Sequence, residues 1–297
     1  MIEVIKTIRR DWKINDTKRD EGLSTPPEIK RFDNICYASD TKWQTLDVYR
    51  PKDAQGKLPV LVSVHGGAWV YGDKELYQYY CMDLARRGFA VVNFTYRLCP
   101  EFKFPAPLED TNLVFGWLLL HADEYGFDTD NVFAMGDSAG AHLLGLYLCI
   151  LGNPEYAANY PFTSPNGLCI KAAILNCGVY DVISHVQEDQ DMHAIMQEFL
   201  PNKCTRQEQE LISMNRHVTH ALPPLFITSS TDDFLKNQVP YIVPELCKNN
   251  VPFTLKFYTA DKAGEPLLHD FQVTIRKTES VRCNNEECDF LRSFVAN

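Results

Sequence analysis

Residues 133–142 read FAMGDSAGAH, and the architecture of the chain can be worked outward from this stretch. Ser138 sits between Gly136 and Gly140. Before it, NVFAMG (131–136) is a short apolar run of strand character; after it, SAGAHLLGLYLCIL (138–151) has helical character and begins at once. Gly-x-Ser-x-Gly between a strand and a helix puts the serine on a sharp turn, its hydroxyl exposed above the sheet, with glycines where a Cβ would clash. The next amide, that of Ala139, falls at a helix N-terminus, where the dipole favours negative charge. Alone, the pentapeptide also suits a small residue in a tight loop. The flanking strand and helix favour a nucleophile.

The rest of the chain repeats this alternation. QTLDVYRP (44–51) alternates like a strand and ends in proline. LPVLVSVHGG (58–67) opens with a continuous β-branched run, the pattern of a strand buried on both faces. ELYQYYCMDLARR (75–87) reads as a helix closed by Gly88, and FAVVNFTYR (89–97) as a buried strand. A helix comes next over 107–126, and further strands over 171–178, 222–230 and 253–259. Residues 1–40 read as polar, broken at Pro26-Pro27. No internal repeat or low-complexity segment is present. Buried strands alternating with helices predict one α/β domain over 1–297, a mainly parallel sheet covered on both faces. Ligands then bind beyond the carboxyl ends of the strands.

Composition narrows the partners. The 297 residues are 45% hydrophobic and 23% charged, with 29 Lys+Arg against 39 Asp+Glu, a formal net charge of -10. That balance argues against nucleic acid or an anionic membrane as partner. No stretch is long and apolar enough to span a bilayer, and the charged start MIEVIKTIRRDWKINDTKRDEG lacks the apolar centre of a signal peptide, so a cytoplasmic protein is expected. The ten cysteines are expected as thiols, with the close pair Cys283 and Cys288 the exception to watch. No Cys-x-x-Cys occurs, and no metal or cofactor is expected. His185 and His193 flank Glu188, Asp189 and Asp191, but at spacings that match no standard metal site; a solvated loop is the simpler reading.

The residues at the end of each strand carry the chemistry. After 58–64 comes His65-Gly66-Gly67-Ala68-Trp69, whose glycines permit a sharp turn with amides aimed at a developing oxyanion. After 222–230 come Asp232 and Asp233, and after 253–259 comes His269. The order Ser, acid, His suits an α/β nucleophile-base-acid triad. His142, on the helix after the turn, reads as a packing or capping residue. Spacing alone does not separate Asp232 from Asp233; either also suits a helix N-cap.

Together these residues resemble the α/β-hydrolase serine esterases of the hormone-sensitive-lipase-like group. HGGAW and GDSAG are close to that family's HGGG and GDSAGG. Tyr96-Arg97-Leu98-Cys99-Pro100-Glu101, then Phe104-Pro105-Ala106 and Glu109-Asp110, are similar to its YRLAPE…FPAALED run. Leu222-Pro223-Pro224 resembles the strand before its acid, and the similarity spans roughly 44–275. The resemblance implies Ser138 as nucleophile, His269 as base and Asp232 as acid, the last because the family pattern is acid, any residue, leucine, with Phe234 in the leucine's place. It implies oxyanion donors at the amides of Gly67, Ala68 and Ala139 and a structural Arg97–Glu101 pair; Trp69, among the aromatic residues near HGG, is the expected substrate contact. It also implies a small helical cap from 1–40 and 180–220. The expected activity is cleavage of small-acyl carboxylic esters through an acyl-enzyme. All three triad types are present, which argues against a non-catalytic binding protein on this fold. HGGAW is also similar to the HGGxW motif of arylformamidases, so an N-formylkynurenine-like amide is the alternative substrate. Three departures stand out: Ala68 for the third glycine, Ala141-His142 for Gly-Asn after the turn, and HDF (269–271) for the family's HGF. The sequence leaves the oligomeric state open, a homodimer included.

Overall fold

The apolar runs become the strands of one eight-stranded sheet: β1 Ile29–Cys36, β2 Thr45–Pro51, β3 Leu58–Val64, β4 Ala90–Phe94, β5 Phe127–Asp137, β6 Ile170–Asn176, β7 Leu225–Ser230 and β8 Phe253–Tyr258. The computed structural model describes residues 2–260 and 264–295; Met1, 261–263 and 296–297, which fall within the expected 1–297 domain and 1–40 cap segment, lie outside the described residues. The strand order is β1-β2-β4-β3-β5-β6-β7-β8. β1 to β2 and β2 to β4 are antiparallel, and every other pairing is parallel. The helices are α1 Glu3–Asp20, α2 Lys74–Ala85, α3 Ala106–Leu120, α4 Ala122–Tyr125, α5 Ala139–Gly152, α6 Pro154–Ala157, α7 Val182–Glu188, α8 Gln190–Phe199, α9 Arg206–Leu211, α10 Val239–Lys248 and α11 Thr278–Arg292.

The central strands are apolar at most positions because both faces are buried. Successive side chains point to opposite sides. Val60, Val62 and Val64 pack with Leu108, Phe115 and Leu143 of α3 and α5, while Leu61, Phe133 and Met135 pack with Tyr80, Cys81 and Leu84 of α2 and Leu291 of α11. The glycine after each helix does what the sequence suggests: Gly88 has φ +95 and Gly126 φ +67, a backbone that costs glycine nothing.

Two elements were not evident in the polar segment 1–40. α1 buries only Ile5 and Ile8, too few to give a helical apolar stripe. It is held by its arginines instead: Arg9 donates to the carbonyls of Val70 at 2.7 Å and Cys99 at 2.8 Å and to Glu101, while Arg19 donates to Asp20 at 2.8 Å and the Leu76 carbonyl at 2.7 Å. β1, IKRFDNIC, is a charged edge strand, a composition that discourages pairing with a further chain. β7 starts at Leu225 rather than 222 because Pro223 and Pro224 have no amide to offer the ladder. Cys283 and Cys288 lie on one helix, and all ten cysteines are free. No helix among the described residues is long and apolar enough to cross a membrane.

An ion pair ties the edge strands to α2. Lys74 and Asp47 are 3% and 2% exposed, with Nζ 3.0 Å from Oδ1. Asp47 also accepts from the Asn34 amide at 2.8 Å and the Tyr49 hydroxyl at 2.7 Å. Removing one partner leaves the other charge buried and uncompensated. Lys74→Met is therefore expected to destabilise the protein by about 3–5 kcal/mol, read from the urea midpoint. The double replacement with Asp47→Leu should recover part of that loss.

Candidate active site

Ser138 stands at the carboxyl end of β5 with φ 51 and ψ -118, a backbone that few non-glycine residues adopt. Its amide donates to the Asn176 carbonyl at 2.8 Å, and its carbonyl accepts from the His142 amide at 3.1 Å, which starts α5. A Cβ on Gly140 would lie 2.0 Å from the Val64 carbonyl oxygen, and one on Gly136 would lie 2.5 Å from the Gly140 oxygen. Both glycines are thus required for the turn. Ala139 is the first residue of α5, so its amide has no partner within the helix.

The HGGAW segment curls beside the serine. Gly67 has φ +122, and a Cβ there would lie 2.0 Å from the Tyr71 oxygen; Ala68 and Trp69 also have positive φ, at 50 and 60. The Gly67 carbonyl turns away to accept from the Val70 and Tyr71 amides at 3.1 and 2.9 Å. Among the described residues, the amides of Gly67 and Ala68 donate to no backbone carbonyl. Trp69 is 1% exposed; its indole donates to His142 Nδ1 at 3.1 Å and its ring stacks on Phe199. His142 in turn donates from Nε2 to the Ile212 carbonyl at 2.7 Å. The histidine that replaces the family's asparagine thus links the HGGAW loop, α5 and the segment after α9.

His269 is brought against Asp233, not Asp232. His269 Nδ1 lies 2.7 Å from Asp233 Oδ1. Asp233 also accepts from the Leu235 amide and the Ser229 hydroxyl, each at 2.9 Å. Burial pushes its carboxyl up, but the bonds from His269, Leu235 and Ser229 and the attraction of His269 outweigh it and hold it below its ordinary range. Asp232 is exposed and accepts from the Thr231 hydroxyl at 3.1 Å and the Leu267 amide at 3.3 Å. The expected Asp232 partnership is therefore corrected to Asp233. The sequence did carry the signal: Asp233-Phe234-Leu235 fits acid, any residue, leucine without substituting a phenylalanine. The expected Arg97–Glu101 pair is likewise absent; Arg97 binds Asp110 at 3.0 Å and Glu109 at 2.8 Å, and Glu101 binds Arg9 at 2.6 Å.

Two cavities open on Ser138. One, of about 450 Å³, is lined by Val4, Ile8, Trp12, Trp69, Met192 and Leu235, with Asp189 and Asp191 also in its wall. The other, of about 660 Å³, holds His269, Asp270, Gly67, Tyr71 and Tyr77. His185 lines the first cavity, but among the described residues it joins no metal-ligating cluster; the one such group is Cys177, Asp233 and His269, whose closeness the His269–Asp233 hydrogen bond already explains.

The BD-FAE family model matches residues 46–246. The chain belongs to the BD-FAE family. It is 33% identical to esterase LipC of Mycobacterium tuberculosis over 149 residues, 50% of this chain and 36% of LipC. It is 26% identical to the acetyl esterase of Salmonella schwarzengrund over 225 residues, 72% of this chain and 67% of that one. The chain spans less than half the length of the first curated relatives it matches. Among solved structures, esterase B from Lactobacillus Rhamnosis superposes with a TM-score of 0.89 at 27% identity, covering 98% of this chain and 95% of that one. The same esterase has been solved with a C4-C4 SN3 tributyrin phosphonate. The architecture is the α/β-hydrolase fold, as the sequence resemblance implies.

Two outcomes test this geometry without reference to turnover. The Nδ1–H of His269 should give a downfield proton resonance that Asp233→Asn removes and Asp232→Asn leaves in place. His65 and His142 are each 0% exposed, and burial lowers both to about 4. Unfolded histidine titrates near about 6.5, so the unfolded chain binds these protons first. Their contribution is then complete above about pH 6.5 and is lost as the pH falls toward 4, by roughly 3 kcal/mol per histidine. In His142→Asn, urea midpoints measured between pH 8 and 5 should fall less steeply than in the wild type.

Proposed function

We propose that the protein is a serine hydrolase of carboxylic esters, with Ser138 as nucleophile, His269 as base and Asp233 as the acid that orients it. The observation that carries this reading is the His269–Asp233 bond of 2.7 Å in a cavity shared with a serine held at φ 51. Esterase relatives along most of the fold support it.

The reaction follows from the placement. Ser138 Oγ attacks the acyl carbon as its proton passes to His269 Nε2. Asp233 keeps the other ring proton on Nδ1 and stabilises the charged ring. The carbonyl oxygen becomes an oxyanion within reach of the amides of Gly67, Ala68 and Ala139, each worth about 100- to 1,000-fold in rate where such donors have been removed. Collapse of the tetrahedral intermediate breaks the bond to the alcohol oxygen, which takes the proton from Nε2. Water activated by the same nitrogen then releases the acid and restores Ser138.

The two cavities divide the substrate. The leaving oxygen must reach Nε2, so the alcohol occupies the cavity that contains His269. The acyl group then occupies the apolar cavity of about 450 Å³ beside Trp69, enough for a short chain. The tributyrin phosphonate seen with esterase B is consistent with that size class. α1 and α7–α8 wall this cavity and serve as its cap. Ten free thiols suit a reducing, cytoplasmic setting.

A panel of p-nitrophenyl esters from C2 to C12, with an aryl formamide beside it, tests the reading. Rates should be highest for the shortest chains and fall toward C12. Ser138→Ala should lose about 10⁶-fold in kcat and all labelling by a fluorophosphonate. Asp233→Asn should lose about 10⁴-fold, and Asp232→Asn should stay within roughly threefold of wild type. Ester hydrolysis that survives Ser138→Ala would overturn the assignment; cleavage of the formamide alone would move it to amides.

A further inference from the structure

His269 faces a second carboxyl. Asp270 Oδ2 lies 3.2 Å from His269 Nε2, the nitrogen opposite the one that binds Asp233. The Asp270 side chain is 16% exposed, but its Oδ1 is fully buried with no hydrogen-bond partner. The side chain is joined to that of Asp137, itself 2% exposed, in the Gly-Asp-Ser turn. Asp137 Oδ2 accepts from the Tyr77 hydroxyl, and the oxygen of that hydroxyl accepts from the Gly66 amide at 3.0 Å. A Cβ on Gly66 would lie 2.7 Å from Asp137 Oδ2, so the contact needs a glycine there. A continuous polar line therefore runs from the HGG loop through Tyr77, Asp137 and Asp270 to the imidazole.

Two buried carboxyls in contact do not both ionise near neutrality, because each opposes the other's charge. One proton stays with the pair. If the O–H of Asp270 points at Asp137, its carbonyl-type Oδ2 is left facing Nε2. In the resting ring, Nδ1–H donates to Asp233 and Nε2 has no proton to give. Once Ser138 has passed its proton on, Nε2–H has Oδ2 as an acceptor.

We propose that Asp270 is a positioning residue for His269: paired with Asp137 around one shared proton, it presents Oδ2 to Nε2 and steadies the imidazolium formed when Ser138 gives up its proton. The inference rests on the esterase reading above, and it turns on the residue that departs from the family's HGF. Burial raises the Asp137 carboxyl against the bonds from Tyr77 and Asp270, and burial with the charges of Asp137 and Asp233 raises that of Asp270, in keeping with a retained proton. The titratable and charged groups around the pair are Tyr77, Tyr80 and Cys81 from α2, Tyr96 after β4, Cys177 after β6, Asp233 after β7, His269 itself, Glu287 from α11 and, at longer range, Arg19 from α1. Burial, with Asp270 and Asp233, pushes the Cys177 thiol well up, so it stays neutral and adds no charge.

The backbone at Asp270 has φ 54, which both glycine and asparagine accept. Asp270→Gly removes the acceptor; Asp270→Asn keeps an oxygen for Nε2 and an N–H for Asp137. kcat and KM for p-nitrophenyl butyrate, measured from pH 5 to 9, and the NMR titration of the His269 ring give two independent readouts. An acceptor for Nε2–H favours the charged ring, so its loss eases deprotonation. In Asp270→Gly the acid limb of kcat/KM and the His269 midpoint should both move down by about one pH unit, while kcat falls roughly tenfold and KM changes little. In Asp270→Asn both should stay near wild type, which loss of packing alone would not produce. If Asp270→Gly fails to fold, Asp137→Asn tests the pair from the other side: with no second carboxyl opposing its charge, Asp270 gives up the shared proton and faces Nε2 as a full carboxylate, so limb and midpoint should move up. Wild-type hydrolysis through Ser138 with an unmoved Asp270→Gly or Asp137→Asn profile overturns this inference alone, as does an Asp270→Asn that moves with Asp270→Gly. A wild-type protein with no Ser138-dependent hydrolysis overturns both readings.

Discussion

The constraint on which the site depends is the approach of two backbones. Gly140, in the first turn of α5, lies so near the Val64 and His65 carbonyl groups that a single added carbon would fall 2.0 Å from an oxygen. That approach presses the start of the helix onto the end of β3 and leaves Ser138 no ordinary backbone conformation to adopt. It also fixes the HGG loop, because Val64 and His65 are the residues that lead into it. Ser138 and the HGG loop beside it are placed by one contact rather than by two separate loops.

Around that contact the polar groups are joined rather than scattered. His65 stacks on Tyr96 at 4.0 Å, and the Tyr96 hydroxyl donates to the His65 carbonyl at 2.8 Å. Trp69, His142 and the Ile212 carbonyl form a second line, and Gly66, Tyr77, Asp137 and Asp270 a third. A single such bond is worth only about 1 kcal/mol net. Buried as a connected set, they hold positive-φ residues in place that would otherwise relax.

Much of this was legible in the residues, and the failures have physical causes. The central strands announced themselves because burial on both faces favours runs that are mostly apolar, and the serine turn because only glycine fits at 136 and 140. α1 and β1 did not, since helix and strand were inferred from apolar periodicity and these segments are held by arginines and an edge ladder. The choice between Asp232 and Asp233 failed for a geometric reason: consecutive residues at a strand end point opposite ways, so a one-residue error sends the carboxylate to solvent. Arg97 and Glu101 were paired by proximity in sequence, whereas each found a partner from another element. Nothing in the linear order showed that Asp270 would meet Asp137.

The wall of the cavity of about 450 Å³ beside Ser138 comes partly from α1, residues 3–20, which lies wholly outside the stretch 46–246 matched by the family model. Arg9 fastens that helix through main-chain carbonyls of Val70 and Cys99, atoms that any side chain at those positions would still provide. That part of the anchor is insensitive to sequence drift in the body, while the Arg9–Glu101 pair is not, and the apolar positions Val4, Ile8 and Trp12 can change without touching the turn that holds Ser138. The wall of this cavity can therefore change through one terminal segment, separately from the turn that positions Ser138.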